Sequence, residues 1–143
     1  MTDITRILIP VDGSAHARKA IEHALAIVAK DPTAEVHLLN VQPPVRGGAA
    51  SLVSQSDLDG YHRDEGMKVL ADPAKQVEAA GARPHLHVGV GDPGDTVLSF
   101  AQRLGCTQIV MGTRGLGAVG ALLMGSVARD VAGKSEIPVT LLR

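Results

Sequence analysis

Apolar runs of strand length recur along the chain, and the stretches between them carry apolar residues at helical spacing. Ile7–Val11 is continuously apolar, as a central parallel strand buried on both faces must be. After Ser14, residues Ala17, Ala20, Ile21, Ala24, Leu25 and Val28 repeat on one helical face, with Arg18, Lys19, Glu22 and His23 opposite. Asp31-Pro32 ends that helix. Val36–Val41 predicts a second strand, and a helical region follows over about 56–80. Asp72-Pro73 inside that region predicts a kink or a division into two helices. Arg83–Val90 predicts a third strand, whose His85-Leu86-His87-Val88 alternation suits a sheet edge exposed on one face. Asp92 is placed to cap a third helix, with Pro93 at its first position and Gly105 at its end. Thr107–Gly112, Ser126–Lys134 and Val139–Leu142 complete the pattern as strand, helix and strand. The expectation is one α/β domain over 1–143, an open five-stranded parallel sheet with right-handed crossovers and helices on both faces.

Composition narrows the classes of function. At 143 residues and 45% hydrophobic, the chain can bury about two-thirds of its unfolded surface. A formal charge of −1 with mixed signs gives no electrostatic case for nucleic acid or a membrane surface. Tyr61 and Phe100 are the whole aromatic complement, so base stacking on aromatic platforms is not available. No apolar run approaches the ~18 residues of a membrane span, and no signal-peptide pattern opens the sequence. The lone Cys106 excludes an internal disulfide and reads as a small buried residue. A cytoplasmic protein is expected.

The apolar Ile109-Val110-Met111 runs straight into a glycine-rich stretch, Gly112 to Ser126, and then into the last helix. A strand, a glycine loop and a helix N-terminus together make a common phosphate site, because glycine lets backbone N–H groups approach a ligand and the helix end carries partial positive charge. The P-loop pattern is absent, since Ser126 stands where its lysine should be. Gly115-Leu116-Gly117-Ala118-Val119-Gly120 spells a dinucleotide fingerprint, but the chain beyond it has room for only one helix and one strand, and Glu136 is misplaced for a ribose. The spacing G-x2-G-x9-G-[ST], filled by Gly112, Gly115, Gly125 and Ser126, fits better.

That loop resembles the ATP-binding loop of the universal stress protein family. Ile7-Leu8-Ile9-Pro10-Val11-Asp12-Gly13-Ser14 resembles the family's first strand and turn, and Asn40-Val41, Gly89-Val90-Gly91-Asp92-Pro93 and Ile137-Pro138-Val139 match further along, so the likeness covers essentially the whole chain. The resemblance implies a three-layer, Rossmann-like, adenine-nucleotide α-hydrolase-like fold with strand order 3-2-1-4-5. It implies ATP, with magnesium, as the cofactor. Pro10, Val11, Asp12 and Val41 would surround adenine and ribose, with Val41 offering backbone groups to the base and Asp12 meeting ribose hydroxyls or a metal-bound water. Met111, Gly112, Arg114 and Gly115 would wrap the ribose and inner phosphates. Gly125, Ser126 and Val127 would present N–H groups to the outer phosphates. Ala128 departs from relatives that carry a hydroxyl there.

Plainer roles stay open for several of these residues. Asp12 could only cap the first helix, and Ser126 only the last. Gly117 and Gly120 read as loop filler. His85 and His87 share a strand face at a spacing two metal ligands could use, but with no third ligand nearby in sequence they read as exposed polar residues. His16, His23 and His62 read as solvated helix residues. The functional expectation is an ATP-occupied stress-response module, no enzyme beyond slow hydrolysis. The alternative is the same fold acting by protein contacts without nucleotide. An adenylyl transferase or amide ligase is disfavoured, because the His-x-Gly-His and Ser-Gly-Gly-x-Asp-Ser loops of such enzymes are absent. The last strand is too apolar for a bare sheet edge and predicts a homodimer joined through Val139–Leu142.

Overall fold

A computed structural model describes residues 3–45, 47–48, 52–113 and 125–143. The described elements alternate as β1 (Arg6–Pro10), α1 (Ala17–Lys30), β2 (Glu35–Gln42), α2 (Gln55–Ala79), β3 (Pro84–Val90), α3 (Pro93–Leu104), β4 (Gln108–Gly112), α4 (Ser126–Lys134) and β5 (Val139–Leu142). The strands form a single five-stranded sheet in the order β3-β2-β1-β4-β5, and every neighbouring pair is parallel. Fold class and strand order are those the sequence implied.

β1 lies at the centre, and Ile7, Leu8 and Ile9 have no exposed surface. Alternation along the strand sends Ile7 and Ile9 to one face and Leu8 to the other. Ile7 and Ile9 join Val36, Leu38 and Val110 beneath α1 and α2, where Ile21, Leu70 and Val77 complete one core. Leu8 joins Leu39, Ile109 and Met111 beneath α3 and α4, where Val97, Ala101 and Val131 complete the other. Cys106 is buried in this second core, and burial pushes its thiol up to about 11. The helix signals act locally as expected for α3. Asp92 accepts a hydrogen bond from the Asp95 N–H at 3.0 Å, Pro93 opens the helix, and Gly105 ends it with a left-handed φ of 66°.

Three features differ from the sequence expectation. Pro73 sits inside one helix, α2, rather than dividing it. The buried stripe His62, Gly66, Leu70, Ala74 and Val77 runs unbroken across the proline and lies against β2 and β3. Burying Leu70 and Val77 contributes about 1.5–3 kcal/mol each, enough to offset a proline cost of about 3 kcal/mol. His62 belongs to that stripe and is buried, not solvated, and its Nδ1 finds no hydrogen-bond partner among the described residues. β3 does form the sheet edge, but neither of its faces is bare. His85 and His87 point toward the α3 side and stack against the buried His37 of β2.

Pro73→Ala should restore one helical hydrogen bond and raise unfolding stability by about 1 kcal/mol or more, read by denaturant titration. An unchanged midpoint would mean that α2 has already absorbed the proline locally.

Candidate functional site

The strand order reverses between β1 and β4, and a cleft of about 180 Å3 opens beside their carboxyl ends. Of the residues expected from sequence, Pro10, Val11, Asp12, Val41, Met111, Gly112, Gly125, Ser126 and Val127 all line it. Arg114 and Gly115, with Gly117 and Gly120, lie outside the described residues. The lining also includes Ala128, the position where relatives carry a hydroxyl, and His16, Ala17, Leu39, Pro93 and Val97, which have no assigned role in the sequence. His16 lines the cleft rather than a solvated helix face, and its position two residues beyond the Asp-Gly-Ser turn is the signal for it in the sequence.

The mouth of β1 and β2 is fixed by a short polar chain. The Val11 N–H donates to the Leu39 carbonyl at 2.7 Å, and the buried Asn40 amide donates to the Val11 carbonyl at 2.8 Å. Gln42 in turn donates to Asn40 Oδ1 at 2.6 Å. The β1–β2 register stops at Pro10 opposite Leu39, and beyond it the chain turns away at Asp12. Residues two apart present their backbone to the same neighbour in a strand, so the N–H and C=O of Val41 face β1 just where β1 has ended.

Asp12 does not cap α1. The cap position is His16, which makes no side-chain capping bond. The Asp12 carboxylate instead closes the turn by accepting from the Ser14 N–H at 2.9 Å and from the Ser14 hydroxyl, which also meets His16 Nδ1 at 2.9 Å. Desolvation works to raise the Asp12 carboxyl, but the two Ser14 hydrogen bonds and the nearby His16 outweigh it and hold the group below the ordinary carboxylate range. Ser126 is not a cap either: Gly125 occupies that position and Ser126 is the first residue of α4, with its side chain exposed. The first turn of α4 therefore presents backbone N–H groups at one side of the cleft and the Asp12 carboxylate stands at another. Between them the lining is apolar, built from Val11, Leu39, Val41, Val97 and Met111.

The reason for glycine at positions 112 and 125 is not a left-handed backbone. Gly125 has φ −54°, and among the described residues positive φ occurs at Gly13, Gly47, Gly81, Gly91 and Gly105. At Gly112 the constraint is close approach, since a Cβ there would overlap the carbonyl oxygen of His16 at the start of α1. Gly112→Ala should therefore lower stability by about 1–3 kcal/mol as β4 and α1 are forced apart. Thermal or denaturant unfolding of the variant reads this directly, and a wild-type midpoint would contradict it.

The universal stress protein family profile matches residues 3–143. Universal stress protein MJ0531 of Methanocaldococcus jannaschii is 32% identical over an alignment covering 96% of this chain and 81% of that protein. Two solved structures share the fold. One is a universal stress protein of Archaeoglobus fulgidus in complex with dAMP, with a TM-score of 0.68 and 23% identity over the full length of both chains. The other is a universal stress protein in complex with cAMP, with a TM-score of 0.71 and 23% identity, covering 99% of this chain and 98% of that one. With the strand order, the cleft at the switch point and a profile match spanning nearly every residue, the chain belongs to the universal stress protein family.

Proposed function

We propose that the cleft binds an adenine nucleotide, ATP with magnesium, and that the protein acts through occupancy of this site rather than through turnover. The observation that carries the reading is the backbone of Val41, whose N–H and C=O face a position that β1 leaves vacant. Adenine carries a ring acceptor and an amino donor side by side on one edge, the complement of one residue's donor and acceptor. The apolar lining suits the faces of the base, and the ionised Asp12 suits ribose hydroxyls, which donate. The amides of Ser126 and Val127, with the Ser126 hydroxyl, suit phosphate oxygens at a helix N-terminus. The cAMP and dAMP held by two proteins of the same fold agree with this ligand class.

Asp12 is the one carboxylate among the described lining residues. Magnesium accepts one or two carboxylates beside phosphate oxygens, so the metal would arrive with the triphosphate. His16 is the one imidazole there and its Nδ1 is engaged by Ser14, which leaves no evident base poised to activate water; hydrolysis should be slow. A cytoplasmic setting, where ATP is at hand, belongs to the same reading.

A homodimer through β5 completes the proposal. Pro138 and Leu142 accept from Ile109 and Thr113 on the β4 side, at 3.0 and 2.7 Å. Alternation then turns the backbone groups of Val139 and Leu141 outward along an apolar edge. The side chains of both residues pack against the second core, so Leu141→Lys would test the core as much as an interface. Val139→Pro removes one outward donor while putting no charge into the core, and circular dichroism of the variant checks that the fold persists.

With no Trp and one Tyr, the protein absorbs weakly in the ultraviolet, so bound adenine should stand out when purified protein is denatured. Calorimetric titration with ATP and magnesium should show binding, and Asp12→Ala should weaken it about tenfold, or about 1.4 kcal/mol. A dissociation constant above about 1 mM would favour the alternative, a stress protein acting by protein contacts alone. In sedimentation at tens of micromolar the wild type should run as a dimer and Val139→Pro as folded monomer. A monomeric wild type would remove the β5 interface from the proposal.

A further inference from the structure

Away from the cleft, toward the other end of the sheet, the parallel register brings the pair Glu35 and His37 of β2 beside the pair His85 and His87 of β3, about fifty residues on. His37 of β2 stands opposite His85 of β3, and Leu39 opposite His87. Alternation puts Glu35, His37, His85 and His87 on the same face of the sheet, the one covered by α3. His37 is buried, and its ring stacks on those of His85 and His87 at centroid distances of 4.5 and 5.2 Å. Its Nε2 lies 2.9 Å from Glu35 Oε1, and its Nδ1 lies 2.9 Å from His87 Nε2.

We propose that Glu35, His37 and His85 form a binding site for a divalent transition-metal ion of the zinc class, with His87 orienting His37 from behind. Two of the three ligands come from β2, which no sequence window around His85 and His87 contains. One ligand atom from each of the three residues falls within 4.8 Å of the others. Tetrahedral zinc with bonds of about 2.0–2.1 Å keeps neighbouring ligand atoms about 3.3 Å apart. The His37–Glu35 pair, at 2.9 Å, already has nearly that spacing, so the ion takes the place of the proton between them. His85 offers a ligand atom within 4.8 Å of the others. Because its ring stacks on His37 at 20°, it has to turn out of that stack to aim a nitrogen at the ion, a rotation open to a partly exposed side chain on an edge strand. The Nδ1–Nε2 contact between His37 and His87 is the outer hydrogen bond that metal-bound imidazoles commonly make, and it fixes the ring that carries the ligand atom. Glu35, with 28% of its side chain exposed, leaves the site open to solvent for entry and for a fourth ligand. Two imidazoles and one carboxylate suit zinc, cobalt or nickel rather than magnesium or calcium.

Two cations oppose the ion: Arg83 bears on His85, and Arg6 competes for Glu35. The Arg6 guanidinium donates to the same Glu35 oxygen at 3.0 Å, and its charge competes directly for that ligand. This competition gives the proposal a signature that a purely structural cluster lacks: removing Arg6 should tighten metal binding.

The test uses the full chain, freed of metal by chelator and dialysis. Calorimetry with Zn2+ should give one equivalent per chain, and Co2+ should give the visible bands of a tetrahedral site. Glu35→Gln and His85→Gln should each weaken Zn2+ binding about tenfold or more, while Arg6→Gln should strengthen it. His23→Gln, on α1, should leave it unchanged. Circular dichroism of each apo variant checks that the fold persists, and His85 on the edge strand is the substitution least tied to the core. Binding that survives His85→Gln, a Co2+ spectrum without tetrahedral bands, or affinity unchanged or weakened in folded Arg6→Gln would each overturn the assignment.

Discussion

The arrangement depends on β1 being buried on both faces. Ile7, Leu8 and Ile9 supply aliphatic surface to two cores at once, and both helical layers are therefore built on three consecutive residues. A strand covered on both sides has its polar groups free only where it ends, so ligand chemistry is displaced to the ends of the sheet. Every feature of the cleft follows from that displacement. Val11 pairs with Leu39, Asp12 turns away, Val41 loses its neighbour, and the start of α4 closes the far side. Gly112 ties this arrangement together, since its missing Cβ is what lets β4 lie against the first turn of α1.

What was legible in the sequence was local or periodic. The apolar strand runs gave the strands and the strand-to-helix alternation, and Asp92, Pro93 and Gly105 announced both ends of α3 because capping is decided within a few residues. Nine of the residues that the family likeness pointed to line the cleft together, because the loop and the turn carry their own spacing. What failed was decided by packing. Pro73 is a helix breaker in isolation, and only the buried stripe across it keeps α2 whole. His62 looked polar, but it falls in line with Gly66 and Leu70. The His37–His85 pairing depends on strand register across β2 and β3, which no short window reveals.

The two ends of the sheet differ in chemical character. Among the described residues around the cleft the polar groups are mostly backbone, the Val41 edge and the amides of α4, with Asp12 as the one carboxylate. Backbone groups recognise shape and hydrogen-bonding pattern and change little with pH. Toward the opposite end the polar groups are side chains, Glu35 with its histidines and Arg6, whose charges answer to ions and protons. The same parallel register produces both, because it aligns strand starts at one end and strand finishes at the other.

The buried Cys106 has a consequence for how such a protein meets oxidants. A thiol pushed up to about 11 is ionised in only about one molecule in ten thousand at neutral pH, and the thiolate is the form that reacts. The residue is also walled in by the aliphatic core beneath α3 and α4, with no second cysteine in the chain to resolve a sulfenic acid. Peroxide should therefore pass this thiol by, and among the described residues the exposed thioether of Met67 is the sulfur it would meet first.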